Sequence, residues 1–266
     1  MSLSWIVSES LTNKPSWLSY SKLRTAYGFV GNDLYAYAAN NAYRQETING
    51  VIVNFWPTVY GNDYIKPERK REFEVGLESK LFDNRIGLDV TYYNNAIKDQ
   101  ITYIDVPGSA GVTSMLSNLA KMTNYGLEIG LNANPVRTET WNYNVGVNFS
   151  FNRNRVSELP TGGQYLKLAD IDNNAVMVVA SPNAAYGDIM TYSYKRDKNG
   201  NKLVDDEGYY IKENTPSVRG NVTPKGVGGI TNNVSFDTGH GKIAFTALID
   251  YRIGGDIFSL SNYQNT

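Results

Sequence analysis

The sequence predicts an all-β chain, a segment of an antiparallel, up-and-down transmembrane β-barrel with short periplasmic turns and long extracellular loops. Three observations carry that expectation. Apolar residues recur at every second position over long stretches, short and long connections alternate strictly, and the chain is rich in Tyr, Asn and Gly, with no helical periodicity of any length.

The first expected strand is KLRTAYGFV, which sets Leu23, Thr25, Tyr27 and Phe29 on one face. A hairpin follows at 71–81 and 85–97. Its first arm opposes Phe73, Val75, Leu77 and Leu81 to Glu72, Glu74, Gly76, Glu78 and Lys80; its second opposes Ile86, Leu88, Val90 and Tyr92 to Gly87, Asp89, Thr91 and Tyr93. In YGLEIGLNANPV, Tyr125, Leu127, Ile129 and Leu131 alternate with Gly126, Glu128, Gly130 and Asn132. Its partner WNYNVGVNFSFNRN has the strictest pattern: Trp141, Tyr143, Val145, Val147, Phe149 and Phe151 against Asn142, Asn144, Gly146, Asn148, Ser150 and Asn152. The last pair is GGITNNVSFD and KIAFTALIDYRIGG.

Short links (FDNR, PVRTET, DTGHGK) join the hairpins, whereas 31–70, 98–122 and 153–227 read as long loops. If consecutive strands are antiparallel neighbours, every short turn lies at one end of the sheet and every long loop at the other. A soluble sandwich has no reason to sort loops by end; an outer-membrane barrel does. A soluble antiparallel sheet with one wet face would produce the same alternation. In the barrel reading Glu72, Glu74, Glu78, Asp89, Glu128, Asn142, Asn144 and Asn148 face the lumen, and Tyr92, Tyr125, Trp141, Tyr143 and Tyr251 form interfacial girdles. Seven such strands are fewer than the roughly eight a bacterial barrel needs to close, so the chain reads as a fragment.

Composition narrows the chemistry. With no Cys and one His among 266 residues, a disulfide framework, a thiolate site, a multi-His metal centre and a Ser-His-Asp triad are not expected. His240 sits in DTGHGK, a turn. A formal net charge of -1 gives no pull toward nucleic acid. Mean hydropathy is -0.38 and no apolar run approaches a helical span. MSLSWIVSES lacks the basic and apolar regions of a secretion leader, which suits either an intracellular chain or an excised piece of a longer one.

Several motifs have competing readings. Glu72, Glu74 and Glu78 are spaced permissively for a glycosidase pair, yet acids on one strand face beside Lys66, Arg69, Lys70 and Arg71 read as a solvated, salt-linked wall. No catalytic residue is assigned. RDKNGNKLVDDEG (196–208) has the Asp-x-Asn-Gly start of a calcium loop without the EF-hand order, and its NG and DEG are hairpin-turn signals; a small ribbon is expected, with no metal or cofactor. GVGGI lacks the phosphate-loop Lys-Ser/Thr and reads as a loop entering a strand. The loop at 31–70 carries Tyr35, Tyr37, Tyr43, Trp56 and Tyr60 among Asn, Gln and Arg, a combination that suits sugar faces or a protein lid.

Beyond pattern, KLRTAYGFVGN, IKPERKREFEVGLESKLFDNRIGLDVTYYNNAIKDQI, NYGLEIGLNANPV with WNYNVGVNFSFNRNRVSEL, and RGNVTPKGVGGITNNVSF leading to LIDYRIGGDIFS resemble barrel segments of the SusC/RagA-type TonB-dependent outer-membrane transporters, in family order over nearly the whole chain. Signal peptide, TonB box, plug domain and final strands of that family have no counterpart here. The resemblance implies part of a barrel of about 22 strands in a Gram-negative, Bacteroidetes-like outer membrane, contacting its lipid. It further implies import of an oligosaccharide or peptide, a SusD-like surface lipoprotein over the mouth, and a TonB-ExbB-ExbD complex acting through the plug. Tyr35, Tyr37, Tyr43, Trp56 and Tyr60 are then candidate substrate contacts. The alternative is a soluble, secreted all-β carbohydrate-binding or adhesion module.

Overall fold

The computed structural model describes residues 1–159, 164–171 and 174–259. Its strands are β1 (Ser2–Ile6), β2 (Leu18–Asn32), β3 (Arg44–Ile48), β4 (Val51–Phe55), β5 (Val59–Tyr60), β6 (Glu68–Leu81), β7 (Ile86–Asp105), β8 (Ser114–Arg137) and β9 (Trp141–Glu158), followed by β10 (Leu166–Ile171), β11 (Val176–Ala180), β12 (Tyr186–Thr191), β13 (Ser217–Asn221), β14 (Gly226–Asp237) and β15 (Lys242–Ile253). The wall is an antiparallel meander in the order β1-β2-β6-β7-β8-β9-β14-β15, with β5 added in parallel to β8. The sheet is open, with β1 and β15 at its edges.

The short turns carry left-handed backbone. Phe82, Asp83 and Asn84 carry φ of 52, 55 and 63° between β6 and β7. Thr138 accepts from the Trp141 N–H at 2.9 Å through Oγ1 to close the β8–β9 turn, and Gly239 closes the last one at φ 77°. The segment between β1 and β2, which includes a single helical turn at Val7–Ser10, lies at this same end of the sheet.

The amphipathy is inverted relative to a soluble domain. The largest fully buried side chains, Leu116, Val156, Val176 and Val179, sit at or beyond the long-loop end of the wall. The regular apolar face stays open: Phe73 is 44% exposed, Tyr125 44%, Trp141 48% and Phe245 65%. Among the described residues no second layer packs over that face from β6 through β15; the main strand contacts run between ladder neighbours and to the loop sheet. A face this apolar and this uncovered suits hydrocarbon, where burial is supplied by lipid.

Three expectations are revised at the long-loop end. The stretch 98–122, expected as a loop, is mostly ladder: Lys98 pairs with Lys121 and Asp105 with Ser114, which leaves 106–113 as the connection. β7 and β8 run 20 and 24 residues, about twice what a tilted strand needs to cross a bilayer. The projecting part loses its two-period pattern because neither face meets lipid. Within 31–70, β3 and β4 form a hairpin on Asn49-Gly50, with φ of 51 and 82° as a type I′ turn requires. Within 153–227, β9 continues to Glu158 and β10-β11-β12-β13 make a separate sheet around Met177, Val179 and Met190. Residues 160–163 and 172–173 of that stretch lie outside the described residues, as does most of the final SLSNYQNT.

Candidate functional site: a polar wall and an aromatic loop

Register places all eight expected wall residues on one face. Across β2, β6, β7, β8 and β9, one row reads Lys22, Glu78, Asp89, Gly130, Asn148; the next reads Arg24, Gly76, Thr91, Glu128, Ser150. Two further rows add Glu74 with Tyr93 and Asn152, then Glu72 with Asn95 and Asn124. Asn142 and Asn144 lie on the same face toward the short turns. All five expected girdle residues occupy the opposite face, Trp141 and Tyr143 nearer the short turns and Tyr92, Tyr125 and Tyr251 nearer the long loops.

Charges on the polar face are largely paired. Arg24 Nη1 and Nη2 donate to the two Asp89 oxygens at 2.8 and 2.6 Å, and Nη2 also reaches Thr91 Oγ1 at 2.7 Å. Lys70 meets Glu72 at 2.6 Å and Lys22 approaches Glu78 at 3.9 Å. Glu74 and Glu128 make no ion pair within 4 Å among the described residues. Pairing of Glu72 and Glu78 with lysines fits a salt-linked wall better than an acid and nucleophile.

Two glycines let long side chains cross a strand. A Cβ on Gly76 would lie 2.5 Å from Arg24 Nε and 2.9 Å from Cγ, because the guanidinium passes over β6 to reach β7. A Cβ on Gly126 would strike the Tyr93 ring, whose hydroxyl donates to Asn152 Oδ1 at 3.2 Å beyond β8. Near the short turns the same face opens into a concavity of about 720 Å³, with Asn132, Asn144, Asn148 and Asn233 beside Lys80 and Arg85. Asn132, set on the polar face by its alternation, was not among the expected wall residues, and Asn233 escaped the sequence reading although the alternation in its strand marks it.

The aromatic loop is only partly gathered. Tyr43 and Trp56, flanking the β3–β4 hairpin, meet edge to face at 5.3 Å. Tyr35 and Tyr37 are 75% and 84% exposed on a separate turn, while Tyr60 belongs to β5 and pairs with Met115. What holds this loop is a residue composition did not single out. Asn118 on β8 accepts the Lys66 N–H at 2.9 Å and donates to the carbonyls of Lys66 and Asp99 at 2.8 and 2.7 Å. Asn62 adds a bond to the Leu116 carbonyl at 3.2 Å.

In the ribbon at 194–212 the expected hairpin is present and repeats. Asp197 Oδ1 accepts the N–H groups of Asn199 and Asn201, and Asp205 Oδ1 those of Glu207 and Tyr209, at 2.8–3.0 Å. The Asn201 side-chain amide, aided by backbone N–H groups, holds the Asp197 carboxyl below its usual range. These oxygens face donors, an arrangement made for turns. Lys202 lies over both Tyr194 and Tyr210, 4.6 and 4.4 Å from the ring centres.

Comparison with known proteins gives a consistent set of likenesses. The family model described as TonB dependent receptor-like, beta-barrel matches residues 2–225. The chain is 29% identical over 161 residues to TonB-dependent receptor P3 of Formosa agariphila, covering 59% of this chain and 14% of that protein. It is 25% identical over 240 residues to TonB-dependent receptor SusC of Bacteroides thetaiotaomicron, covering 79% and 24%. Thus the chain spans between 14% and 24% of the length of these relatives. Among solved structures, the RagAB peptide importer in its closed-closed state superposes with a TM-score of 0.76 at 21% identity, over 96% of this chain and 29% of that one. A second RagAB peptide transporter structure gives 0.76 at 19% identity.

Proposed function

Because this chain belongs to the TonB-dependent receptor-like β-barrel family of the outer membrane, we propose that it supplies wall, lumen lining and extracellular loops to a transporter that imports oligosaccharides or peptides. The observation that carries this reading is the inverted amphipathy of the wall: a polar face of Glu, Asp and Asn behind an apolar face with no protein layer over it among the described residues. In this reading Glu72, Glu74, Glu78, Asp89, Glu128, Asn142, Asn144 and Asn148 line the passage. The stretches at 31–70 and 153–227, with the shortened tip at 106–113, lie outside the cell. A SusD-like lipoprotein caps the mouth, and a TonB-ExbB-ExbD complex drives transport through a plug domain elsewhere in the receptor. The name RagAB peptide importer supports the peptide half of the substrate class, and the oligosaccharide half rests on the resemblance to the SusC/RagA type.

Tyr35, Tyr37, Tyr43, Trp56 and Tyr60 are the proposed substrate or lid contacts, with Tyr43 and Trp56 in ring contact with each other. The test is uptake and affinity in the whole receptor, with labelled oligosaccharides and peptides as probes. Replacing Trp56 and Tyr60 by Ala should weaken binding about tenfold or more, the scale of losing an aromatic hot spot. Unchanged affinity removes them from the site, and a receptor that imports neither class overturns the function.

A further inference from the structure

Where the long-loop end of β9 meets β12, β13 and the segments just before β14 and just after β15, the chain encloses a cavity of about 210 Å³. Two carboxylates line it, Asp188 on β12 and Asp256 after β15, and Asn221 of β13 stands between them. The Asn221 side-chain amide donates to Asp188 Oδ1 at 2.8 Å, and its backbone N–H donates to Asp256 Oδ2 at 2.8 Å. In return the Asp256 N–H donates to the Asn221 carbonyl at 2.8 Å. The approach needs a glycine next door, since a Cβ on Gly220 would lie 2.6 Å from Asp256 Oδ2. Each acid is thereby fixed through one oxygen. Among the described residues Asp188 Oδ2 and Asp256 Oδ1 accept no hydrogen bond, and neither acid has a cation within 4 Å.

Asp188 is the more telling of the two, because only 8% of it is exposed and a buried carboxylate is costly unless a cation meets it. The protein's own cations nearby are turned to other work. Arg153 and Lys225 line the same cavity, but the Arg153 guanidinium lies 4.7 Å from the Phe151 ring and bonds the Lys225 carbonyl at 3.3 Å. Lys225 runs over Gly254, where a Cβ would lie 2.9 Å from its Cγ. The oxygens left open select the ligand. Side-chain oxygens of Asn152, Asn154 and Asn221 already accept from Tyr93, Tyr186 and Thr223, which leaves too few for a calcium ion and its roughly six to eight oxygen ligands. A primary ammonium is a compact charge with three donors, and Ala185, Pro224 and Gly255 give it uncharged walls. We propose that Asp188 and Asp256 bind the primary ammonium of a peptide, its amino end or a lysine side chain, at the mouth of the passage; this rests on the peptide half of the function proposed above.

The test is isothermal titration of the whole receptor in detergent with tetra-alanine amide, its N-acetyl form, an N-acetyl form carrying one lysine, and calcium chloride alone. The free amine should bind about tenfold or more tighter than the blocked, lysine-free peptide. Binding of the blocked lysine peptide as tight as that of the free amine assigns the side chain as the source, and weak binding assigns the amino end; both support the site. Asp188→Asn should erase the preference while affinity for the blocked peptide and the unfolding temperature stay as in the wild type. Asp256→Asn, at the exposed acid, should reduce the preference about threefold. Equal affinity for free and blocked peptides, an unaltered preference in both variants, or calcium binding lost in Asp188→Asn would each overturn the ammonium site and leave peptide import standing. A receptor that binds no peptide at all overturns the peptide reading as well.

Discussion

Arg24 and Asp89 are joined across an intervening strand, with Nη1 donating to Oδ2 at 2.8 Å and Nη2 to Oδ1 at 2.6 Å above Gly76 of β6. One side chain thus couples three strands of the wall on its polar face. The glycine is part of the bond, since any Cβ there occupies the path of the side chain.

The first prediction concerns that coupling. Gly76→Ala should displace Arg24 and cost about 1 kcal/mol, the scale of a pair with 37% and 44% exposed side chains rather than of a buried one. Its effect should largely vanish in an Arg24→Ala background. Additive losses in the double-mutant cycle would show that Gly76 serves β6 in some other way.

A second glycine should be less forgiving. A Cβ on Gly126 would meet the Phe151 carbonyl at 2.5 Å as well as the Tyr93 ring, so backbone has to move. Gly126→Ala should destabilise by about 1–3 kcal/mol as overpacking does, and Tyr93→Phe, which removes only the bond to Asn152, by about 1 kcal/mol. Thermal unfolding in matched detergent would rank them, and the reverse order would contradict the proposed crossing.

The two faces of β9 allow a direct test of the membrane side. Val147→Arg should cost about 2–4 kcal/mol, as for a charge near the bilayer midplane, whereas Asn148→Arg on the hydrated face should cost under about 1 kcal/mol. Refolding equilibria in lipid vesicles would measure both. Equal costs would mean that both faces of this strand see water.

Asn118 should govern the order of the aromatic loop. Asn118→Ala removes the three bonds that tie Lys66 and Asp99 together, so amide exchange at 62–66 should accelerate about tenfold or more while β6 is unaffected. Protection unchanged at Lys66 would move the anchor elsewhere, with Asn62 the next residue to try.

The ribbon turn at Asp197 should be acid-sensitive in a defined window. Its carboxyl is held below the ordinary value by the Asn201 amide and neighbouring N–H groups. A depressed folded pKa contributes stability that is present above the unfolded value of about 3.9 and is lost as pH falls through the folded one. Turn chemical shifts should therefore stay constant from neutrality to about pH 4 and change only below it. A transition near pH 6 would refute the hydrogen-bond assignment.

The wall was legible in the residues because period two is a local property: Trp141 to Asn152 alternates whatever lies around it, and a one-residue slip would turn every side chain to the wrong face. The same alternation sorted the eight polar residues from the five girdle aromatics and placed the short turns at FDNR and DTGHGK. Where lipid no longer dictates one face, at 98–122 and 153–227, that signal disappears, and the ladder of β7 with β8 and the sheet around Val179 rest on pairings made at a distance. Which partners meet was likewise beyond the linear pattern. Arg24 finds Asp89, Asn118 holds Lys66, and Lys98 comes to lie between Arg69 and Lys121 only once strand register is set. The amino-acid order alone thus determined which residues of the wall strands share the apolar face and which the polar one, because that follows from solvent preference residue by residue. The cross-strand contacts depended on tertiary structure, because hydrogen bonds and charges act over a few ångströms that chain separation does not reveal.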